Sequence, residues 1–470
     1  MAVSSMFCYI RFRYIQKQIK LFVVLFIIPQ DYEFQCLVKY QINIFFLKII
    51  TTNGLIFSKI VNYSMEIIKR ISGYTILSII TSAISFLFLP LLTKYLSPVD
   101  YGVLSIFNAS VNFLTALIPL GMNHILLVQL VKNKLEYPKQ FVSFIKITSS
   151  ITFSISILVG IFSFYISIFF GLPFILTIFL PVIALMIVYY DVIINYFVFV
   201  KQFANYAKFT LSKFFIEYFF VVLLIVVFPF SWRGRILALL ISLIIILILG
   251  FLLFFKKKIL SFNLQKTKTY KSHIKEGLPL TLMGLSIMII NLSDRFFIEH
   301  FVGLNDTGLY GISSTIAGIL LMIIGSTMNV IRPLIYEHLS TGKNELINLT
   351  ISYVVGLLLA TISLLFLVPF IYKYMINESY SQSILYCYPL IIGLFFWGIY
   401  NYVISFYLYK KKTNFIGIIS LIGVLINLIL NYFLTLTYGA IGAAYATLLT
   451  YLTISLIISL TYLFLHKDIK

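Results

Sequence analysis

The chain has 470 residues, of which 61% are hydrophobic and only 11% are charged, and its mean hydropathy is +1.03. A soluble domain of this length needs far more charge to cover its surface, so the composition excludes an ordinary soluble protein. The net charge of +20 does not indicate nucleic acid, because the basic residues lie in short loops between apolar blocks. Cys8, Cys36 and Cys387 have neither metal-ligand nor disulfide spacing, so no metal or other cofactor is expected.

The first 64 residues differ from the rest of the chain. Their apolar runs are short and are interrupted by Asp31, Glu33 and Lys48, and no signal-peptide order is present. A short basic leader, residues 65–70, then directly precedes a strong apolar block. We therefore expect the native start at Met65, with residues 1–64 as a non-native extension. A genuine extension that forms an interfacial helix is the alternative.

From Met65 onward, apolar blocks of about 20 residues or more predict membrane-spanning helices rather than the alternating strands of a barrel. Twelve spans are predicted near residues 74–93, 103–131, 141–169, 173–199, 209–229, 235–255, 278–298, 308–331, 347–373, 384–408, 414–436 and 440–465. The even count predicts both termini on one side. That side carries 21 basic residues against 4 on the other, which are Lys94, Arg233, Arg235 and Lys373. The positive-inside rule therefore makes both termini cytoplasmic.

An internal repeat divides the predicted spans into two halves. At an offset of 206 residues, the aligned pairs are Asp100 with Asp306, Gly102 with Gly308, Ile106 with Ile312, Ile118 with Ile324, Met122 with Met328 and Asn123 with Asn329. The offset corresponds to an even number of helices, so both copies have the same orientation. The sequence therefore predicts two parallel six-helix halves, residues 65–255 and 278–470, joined by a basic cytoplasmic linker of residues 256–277. Such halves suit alternating access around a central cavity.

Three groups of residues resemble a known family of membrane proteins. They are Leu89–Gly102; then Gly277–Pro279, Ser293–Ile298 and Thr307–Tyr310; and then Asn427, Asn431–Tyr432 and Tyr438–Thr447. From about Met65 to the C-terminus, the chain resembles the oligosaccharide flippases of the multidrug/oligosaccharidyl-lipid/polysaccharide (MOP) exporter superfamily.

This resemblance implies transport of undecaprenyl-diphosphate-linked repeat units from the inner to the outer leaflet of a bacterial plasma membrane. The product would be a surface polysaccharide such as O-antigen, capsule or exopolysaccharide. The resemblance also implies membrane lipids, a polymerase and glycosyltransferases of the same pathway as partners.

A lipid-linked oligosaccharide carries an anionic diphosphate and a polar glycan, which need a wet cavity with cationic groups. Asn291, Asp294 and Arg295 lie close together near the outer end of the seventh span. Arg295 is a candidate to meet the diphosphate through its planar guanidinium, with Asp294 restraining it when the site is empty. The alternative is a structural pair that holds this helix to a neighbour. Lys94, at the end of the first span, is either another cavity cation or snorkels to the outer interface.

Ionisable residues also fall within the third, fourth and fifth spans. Lys146 is a candidate cavity cation, and Lys213 and Glu217 are spaced i, i+4, so they can pair on one helical face. Asp191 and Glu217 lie at similar predicted depth and are candidates to bind H⁺ or Na⁺ and couple transport to an ion gradient. The alternative is that Lys146 and Lys213 snorkel while neutralising the two acids.

Polar residues follow one another along the second span. Asn108, Asn112 and Asn123 can share a polar stripe, with His124 next to it, and such a stripe suits sugar hydroxyls. Hydrogen bonding between helices is the alternative role. Pro119, Pro181, Pro369 and Pro389 all fall within predicted spans, where a proline frees a backbone group and can bend or break the helix.

Two other functions stay open at this point. An ion-coupled drug or cation antiporter of the same superfamily fits the acids of the first half loosely, whereas the Asp294-Arg295 signature favours a flippase. A polysaccharide polymerase is expected to carry a large outward loop, but every predicted outward loop is short. The phosphate-binding pattern of ATP-driven pumps does not occur in the sequence. We therefore expect a transporter without a catalytic centre.

Overall fold

The computed structural model describes residues 73–132, 136–259, 270–341 and 346–465. The predicted start at Met65, and residues 260–269 of the predicted linker, lie outside these ranges. The described helices are α1 (Gly73–Leu87), α2 (Leu89–Tyr95), α3 (Pro98–Leu117), α4 (Met122–Lys132), α5 (Tyr137–Phe169), α6 (Phe174–Phe199), α7 (Phe203–Val221), α8 (Ser231–Lys256), α9 (Tyr270–Phe301), α10 (Leu304–Thr341), α11 (Leu346–Met375), α12 (Ile384–Tyr409), α13 (Thr413–Tyr438) and α14 (Ala440–Leu465). A π-helical segment, Val222–Val227, follows α7, and a 3₁₀ segment, Glu378–Ser383, precedes α12.

Each predicted span coincides with one helix or with a broken pair of helices. Within the described ranges, nine helices are long and apolar enough to cross a membrane, and α3 with α4 forms a tenth, bent span. A shorter apolar stretch, Ile79–Tyr95, covers α2 and the end of α1. The prediction of an all-α, multi-pass membrane protein is confirmed. Its helix ends were less accurate: α8 begins at Ser231 rather than at residue 235, and α10 continues to Thr341.

Of the four prolines named above within predicted spans, Pro119 lies at a break between two helices, whereas Pro181, Pro369 and Pro389 lie inside continuous helices. The axes of α3 and α4 differ by 56°, and Leu120 and Gly121 between them have φ values of 44° and 68°. A Cβ atom at Gly121 would overlap the backbone of Gly277 in α9. The turn therefore needs glycine for its left-handed conformation and also for the close approach of another helix.

Residues 70–343 and 354–459 form one compact unit, and all contacts described below lie within it. Helix α3 is central in this unit, because it packs against α6, α8, α9 and α10. Two groups of buried apolar side chains hold helices α2 to α8 together. One joins α2, α3, α6 and α8 around Ile106 and Phe107, and the other joins α4, α5, α6 and α8 around Phe141, Phe197 and Phe254.

The beginnings of α3 and α10 cross in direct backbone contact. A Cβ atom at Gly102 would overlap the carbonyl oxygen of Leu304, and one at Gly308 would overlap the carbonyl oxygen of Pro98. The offset of the internal repeat places Gly102 on Gly308 and Pro98 on Leu304. The two contacts are thus the same contact made in both directions, which is the arrangement expected of two related helices around a two-fold axis.

Further bonds close this end of the helix bundle, which topology predicts to be the outer end. The Tyr380 hydroxyl donates to the carbonyl oxygen of Leu96 at 2.9 Å, and Tyr380 is fully buried. The backbone N–H of Asn377 donates to Thr93 Oγ1 at 3.4 Å. These bonds join the loop before α12 to α2 and to the turn before α3, so the first and last thirds of the chain meet here.

Candidate functional site

A polar cavity lies between α1, α2, α3, α7, α8 and α10. It consists of two adjoining spaces of about 200 and 390 Å³, which share Ser82 and Met322 as lining residues. Its polar lining residues are Tyr74, Ser82, Ser85, Tyr101, Asn108, Tyr206, Tyr218, Arg235, Thr315, Ser326 and Asn329. Hydroxyl and amide groups dominate this set, and they can both donate and accept hydrogen bonds, as a glycan requires.

A cluster of three charged residues lies at the wall of this cavity. Glu217 is 6% exposed and accepts from Lys213 Nζ and from Arg235 Nη1, each at 2.6 Å. The Lys213 ammonium also lies 5.4 Å from the centre of the Tyr190 ring, and the Arg235 guanidinium lies 5.7 Å from the centre of the Tyr218 ring. Two cations share one carboxylate, so the three side chains of this Lys213–Glu217–Arg235 cluster sum to +1, and the Asp191 carboxylate also lies within electrostatic range of Lys213.

The local fold explains how Arg235 reaches Glu217. The π-helical segment after α7 widens the turn above Glu217, and a Cβ atom at Gly234 would overlap the carbonyl oxygen of Leu224 within that segment. Helix α8 therefore begins in close backbone contact with the end of α7. Its first residue, Ser231, donates through Oγ to Asp100, which forms the capping box of α3 with the N-cap residue Ser97. Arg235 then lies in the second turn of α8, beside Glu217.

The Asp294–Arg295 pair predicted from the sequence forms a different kind of cluster. Arg295 Nη1 lies 3.0 Å from Asp294 Oδ1 and 3.1 Å from the carbonyl oxygen of Asn291, and Arg295 Nη2 donates to Ser314 Oγ at 2.8 Å. The Tyr310 hydroxyl donates to the other oxygen of Asp294, which is 3% exposed. The pair is electrically balanced and joins α9 to α10, which is the geometry of the structural alternative.

Tyr101 connects the two charged clusters. Its hydroxyl lies 3.5 Å from Thr315 Oγ1, next in sequence to the Ser314 that binds Arg295. The guanidinium groups of Arg235 and Arg295 both lie within electrostatic range of this hydroxyl. The polar cavity thus has an arginine on either side of Tyr101, one from α8 and one from α9.

A third polar group is buried among α9, α13 and α14. Ser293 Oγ donates to Asn427 Oδ1 at 2.9 Å, and Asn427 Nδ2 donates to Thr450 Oγ1 at 3.3 Å. Asn431 Nδ2 donates to the carbonyl oxygen of Asn427 at 3.0 Å. Asn431 Oδ1 and Thr435 Oγ1, both fully buried, have no hydrogen-bond partner among the described residues. Buried oxygens without a donor are uncommon and call for a ligand or a structural reason.

The remaining predicted site residues are dispersed over the unit. Asn291 accepts a hydrogen bond from Tyr451 and lies beside the Asp294–Arg295 pair. The exposed ones are Lys94, Asn112, His124, Lys146 and Asp191. The Lys94 ammonium lies 5.7 Å from the centre of the adjacent Tyr95 ring, as expected of a side chain at the end of a span. Asn123 Oδ1 is buried and lacks a hydrogen-bond partner within the described part of the chain.

Sequence reasoning missed Arg235, which it counted as a basic residue of an outward loop. The helix was predicted to start at residue 235, but it starts at Ser231, so Arg235 lies inside α8 and lines the cavity. A signal was present, because Arg235 directly precedes a long apolar run that begins at Ile236. A helix that begins one turn earlier would have placed this arginine within the membrane.

Comparison with known proteins identifies the family. A family model described as "Polysaccharide biosynthesis protein" matches residues 67–339. The chain belongs to this family. A search of curated proteins finds no match.

Among solved structures, the fold is similar to an inward-facing multidrug-resistance MATE family transporter of the MOP superfamily (13% identity, 80% of this chain and 92% of that chain, TM-score 0.66). It is also similar to the lipid II flippase MurJ in its inward closed conformation (18% identity, 83% of this chain and 87% of that chain, TM-score 0.64). The chain thus combines membership of the polysaccharide biosynthesis family with the fold of MATE transporters and of MurJ, and the family resemblance stated from the sequence is confirmed.

A further MATE family structure, described as outward-facing, is less similar (14% identity, 84% of this chain and 94% of that chain, TM-score 0.55).

Proposed function

We propose that this family member moves an undecaprenyl-diphosphate-linked oligosaccharide from the inner to the outer leaflet of a bacterial plasma membrane, without catalysing a chemical step. The observation that carries the proposal is the Arg235 guanidinium at the wall of the polar cavity, which shares its carboxylate partner, Glu217, with Lys213. Asp294 and Arg295, by contrast, pair one to one. A diphosphate bound here would give Arg235 an anionic partner that it does not share.

Arg235 suits a diphosphate better than the other cations of the cavity region. Its hydrogen-bond partner in the described chain is Glu217, through one nitrogen, so the rest of its planar fork faces the cavity. A guanidinium binds phosphate oxygens through two parallel hydrogen bonds, which a lysine ammonium cannot do. Tyr101, Asn108 and Thr315 then surround the position that the first sugar would occupy. The apolar tail of the substrate would stay in the bilayer.

Alternating access is the transport mechanism in this proposal. The backbone contact of Gly102 and Gly308 closes the predicted outer end, while Tyr206 and Asn329 line the part of the cavity nearer the predicted cytoplasmic side. Substrate would enter from the inner leaflet in this state. Separation of α3 from α10 would then release it to the outer leaflet. As partners we propose glycosyltransferases that supply this substrate and a polymerase that consumes it.

For the coupling ion we propose Na⁺ at the buried polar group of α13. Asn431 Oδ1 and Thr435 Oγ1 are oxygens without a donor, and hard cations prefer neutral or anionic oxygen ligands. Amide and hydroxyl oxygens do not take up protons near neutral pH, which favours Na⁺ over H⁺ here. Glu217, which the sequence analysis named as a candidate ion-coupling residue, already binds Lys213 and Arg235, so its carboxylate is a poor ligand for a further cation. Asn431→Ala should abolish the Na⁺ dependence of transport, and unchanged Na⁺ dependence would refute this assignment.

The antiporter alternative rests on the likeness to multidrug-resistance transporters. An organic cation would meet the excess positive charge of the Lys213–Glu217–Arg235 cluster, and like charges repel. The cavity therefore favours an anionic substrate. Loss of a polymerase, by contrast, would leave single repeat units on the outer leaflet.

The test is to delete the gene and measure which lipid-linked sugars accumulate, and in which leaflet, with a lectin or enzyme that reaches only the outside. We expect complete repeat units on the inner leaflet, cleared by the wild-type gene. Arg235→Ala should reduce clearance by about tenfold or more, and Arg235→Lys by less, because a lysine keeps the charge but not the fork. Arg233→Ala is the matched control, since Arg233 is exposed two residues away on the same helix.

Three outcomes would contradict the proposal. Single repeat units on the outer leaflet would mean that polymerisation fails instead. The absence of any lipid-linked accumulation would favour the antiporter, to be tested by small-molecule efflux. Equal effects of Arg235→Ala and Arg233→Ala would show that the cavity charge does not bind substrate.

A further inference from the structure

A second cavity, separate from the polar one, lies between α3, α5, α6, α9 and α13. Its volume is about 440 Å³, and its walls are almost wholly apolar. Helix α3 contributes Ala109, Ser110 and Phe113, and α9 contributes Met288, Leu292 and Phe296. The volume falls within the range of cavities that bind small molecules in proteins.

The cavity adjoins exposed apolar surface of the helix bundle. Phe113 at its edge is 37% exposed, and the neighbouring surface of α5 presents Phe153, Ile161 and Tyr165, each about two-thirds exposed or more. These residues lie within predicted spans, so the surface beside the cavity is expected to meet lipid hydrocarbon. Anything that enters the cavity therefore comes from the bilayer core.

Water is a poor occupant of this space. A buried water needs two or more polar partners, and the polar side chain deepest in the wall, Ser293, donates its hydroxyl to Asn427. An empty cavity is also unfavourable, because its lining atoms lose their dispersion contacts. A flexible hydrocarbon chain satisfies both conditions.

The two cavities lie on opposite faces of α3. Asn108 lines the polar cavity and Ser110 lines the apolar one, and residues two apart on a helix point in nearly opposite directions. A lipid whose diphosphate binds Arg235 would have α3 between its head group and the apolar cavity. The choice of a bilayer lipid, rather than the transported lipid, as the source of the hydrocarbon chain therefore rests on the proposed position of the diphosphate. The binding of a hydrocarbon chain as such does not depend on that position.

We propose that this apolar cavity binds one acyl chain of a bilayer phospholipid, as a site distinct from the transport pathway. The chain would fill the gap between α3 and α9, which belong to the two predicted halves. A conformation in which α3 and α9 close on each other would have to expel it. The lipid would thus stabilise the arrangement described here.

The test uses the purified full-length protein in vesicles that contain a phospholipid with a photoreactive diazirine on its acyl chain. After illumination, we expect labelled peptides that include Phe113 and Met288. Ser110→Phe should reduce this labelling by about tenfold, because the ring fills the cavity. Ile161→Phe is the control, since it adds a similar ring on the lipid-facing surface of α5, outside the lining, and should leave the labelling unchanged.

A second arm replaces the phospholipid by an isoprenoid diphosphate that carries the same diazirine on its chain. Labelling of Phe113 and Met288 by the isoprenoid, without labelling by the phospholipid, would overturn the assignment and make the cavity a subsite for the transported lipid. No labelling of either residue in the wild-type protein would also overturn it, whatever the folding of Ser110→Phe. Neither result depends on transport, so failure here and failure of the proposed function are separate findings.

Discussion

The two arginines on either side of Tyr101 differ in what surrounds them. Arg295 has its own carboxylate next to it in sequence, and its donors are used by Asp294, Ser314 and Asn291. Arg235 shares the carboxylate of Glu217, eighteen residues away, with Lys213. The first arrangement cancels its charge and holds helices together, and the second leaves charge at a cavity wall. A charged motif visible in the sequence is therefore not necessarily the one that is free to bind a ligand.

The comparison would be tested most strongly by removing the carboxylate of the balanced pair. Asp294→Asn leaves Arg295, whose side chain is 14% exposed, without its counter-charge. We expect a loss of about 3–5 kcal/mol in the free energy of unfolding, the usual cost of an uncompensated buried charge. The measurement is denaturant unfolding in detergent.

The control for that prediction is the double variant Asp294→Asn/Arg295→Gln. It removes both charges and should recover most of the lost stability, because no unpaired charge stays buried. Equal instability of the single and double variants would mean that the hydrogen bonds to Tyr310 and Ser314, rather than charge balance, hold α9 to α10.

The corresponding change in the other cluster should have a smaller effect on stability. Glu217→Gln leaves Lys213 and Arg235, whose side chains are 20% and 24% exposed, so water in the cavity can solvate them. We expect a loss of about 1–3 kcal/mol in the free energy of unfolding. Binding of undecaprenyl diphosphate, measured by microscale thermophoresis, should become tighter, because the local charge rises. Weaker binding would show that Glu217 orients Arg235 for the substrate.

The smallest effects are expected at the exposed cations that sequence reasoning also proposed. Lys94→Ala and Lys146→Ala remove side chains that are exposed, and substitutions of that kind change stability by about 0.5 kcal/mol or less. Either variant, expressed in the deletion strain, should clear lipid-linked repeat units at the wild-type rate. A transport defect in Lys146→Ala with normal stability would extend the substrate path to α5.

The helices themselves could be predicted well, because each span is a long apolar block and the loops carry the charge. The sequence also indicated the Lys213–Glu217 pair, which depends on local spacing alone, and it named Pro119 as one of four positions at which a span could bend. It could not indicate that Arg235 joins that pair. This contact depends on the π-helical segment at Val222–Val227 and on Ser231 bonding to Asp100, and neither follows from hydropathy.

The asparagine stripe of the second span shows a related limit. In a straight helix, Asn108, Asn112 and Asn123 can lie along one side. The bend of 56° at Pro119 places Asn123 on a different helix axis from Asn108, and it is Asn108 that lines the polar cavity. A prediction that assumes one continuous helix fails where the helix breaks in the middle. The proline that indicated the bend also indicated that the stripe would be interrupted.

The crossing of α3 and α10 has the geometry of an isologous dimer interface made within a single polypeptide. Pro98 faces Gly308 as Leu304 faces Gly102, so the same patch meets itself around a two-fold axis. An enlarged side chain at either glycine would therefore strain the crossing in the same way. Two separate copies of a six-helix chain, each with one Pro98–Gly102 segment, would form the same crossing between them. The predicted linker between the two predicted halves would thus join surfaces that are already complementary to each other.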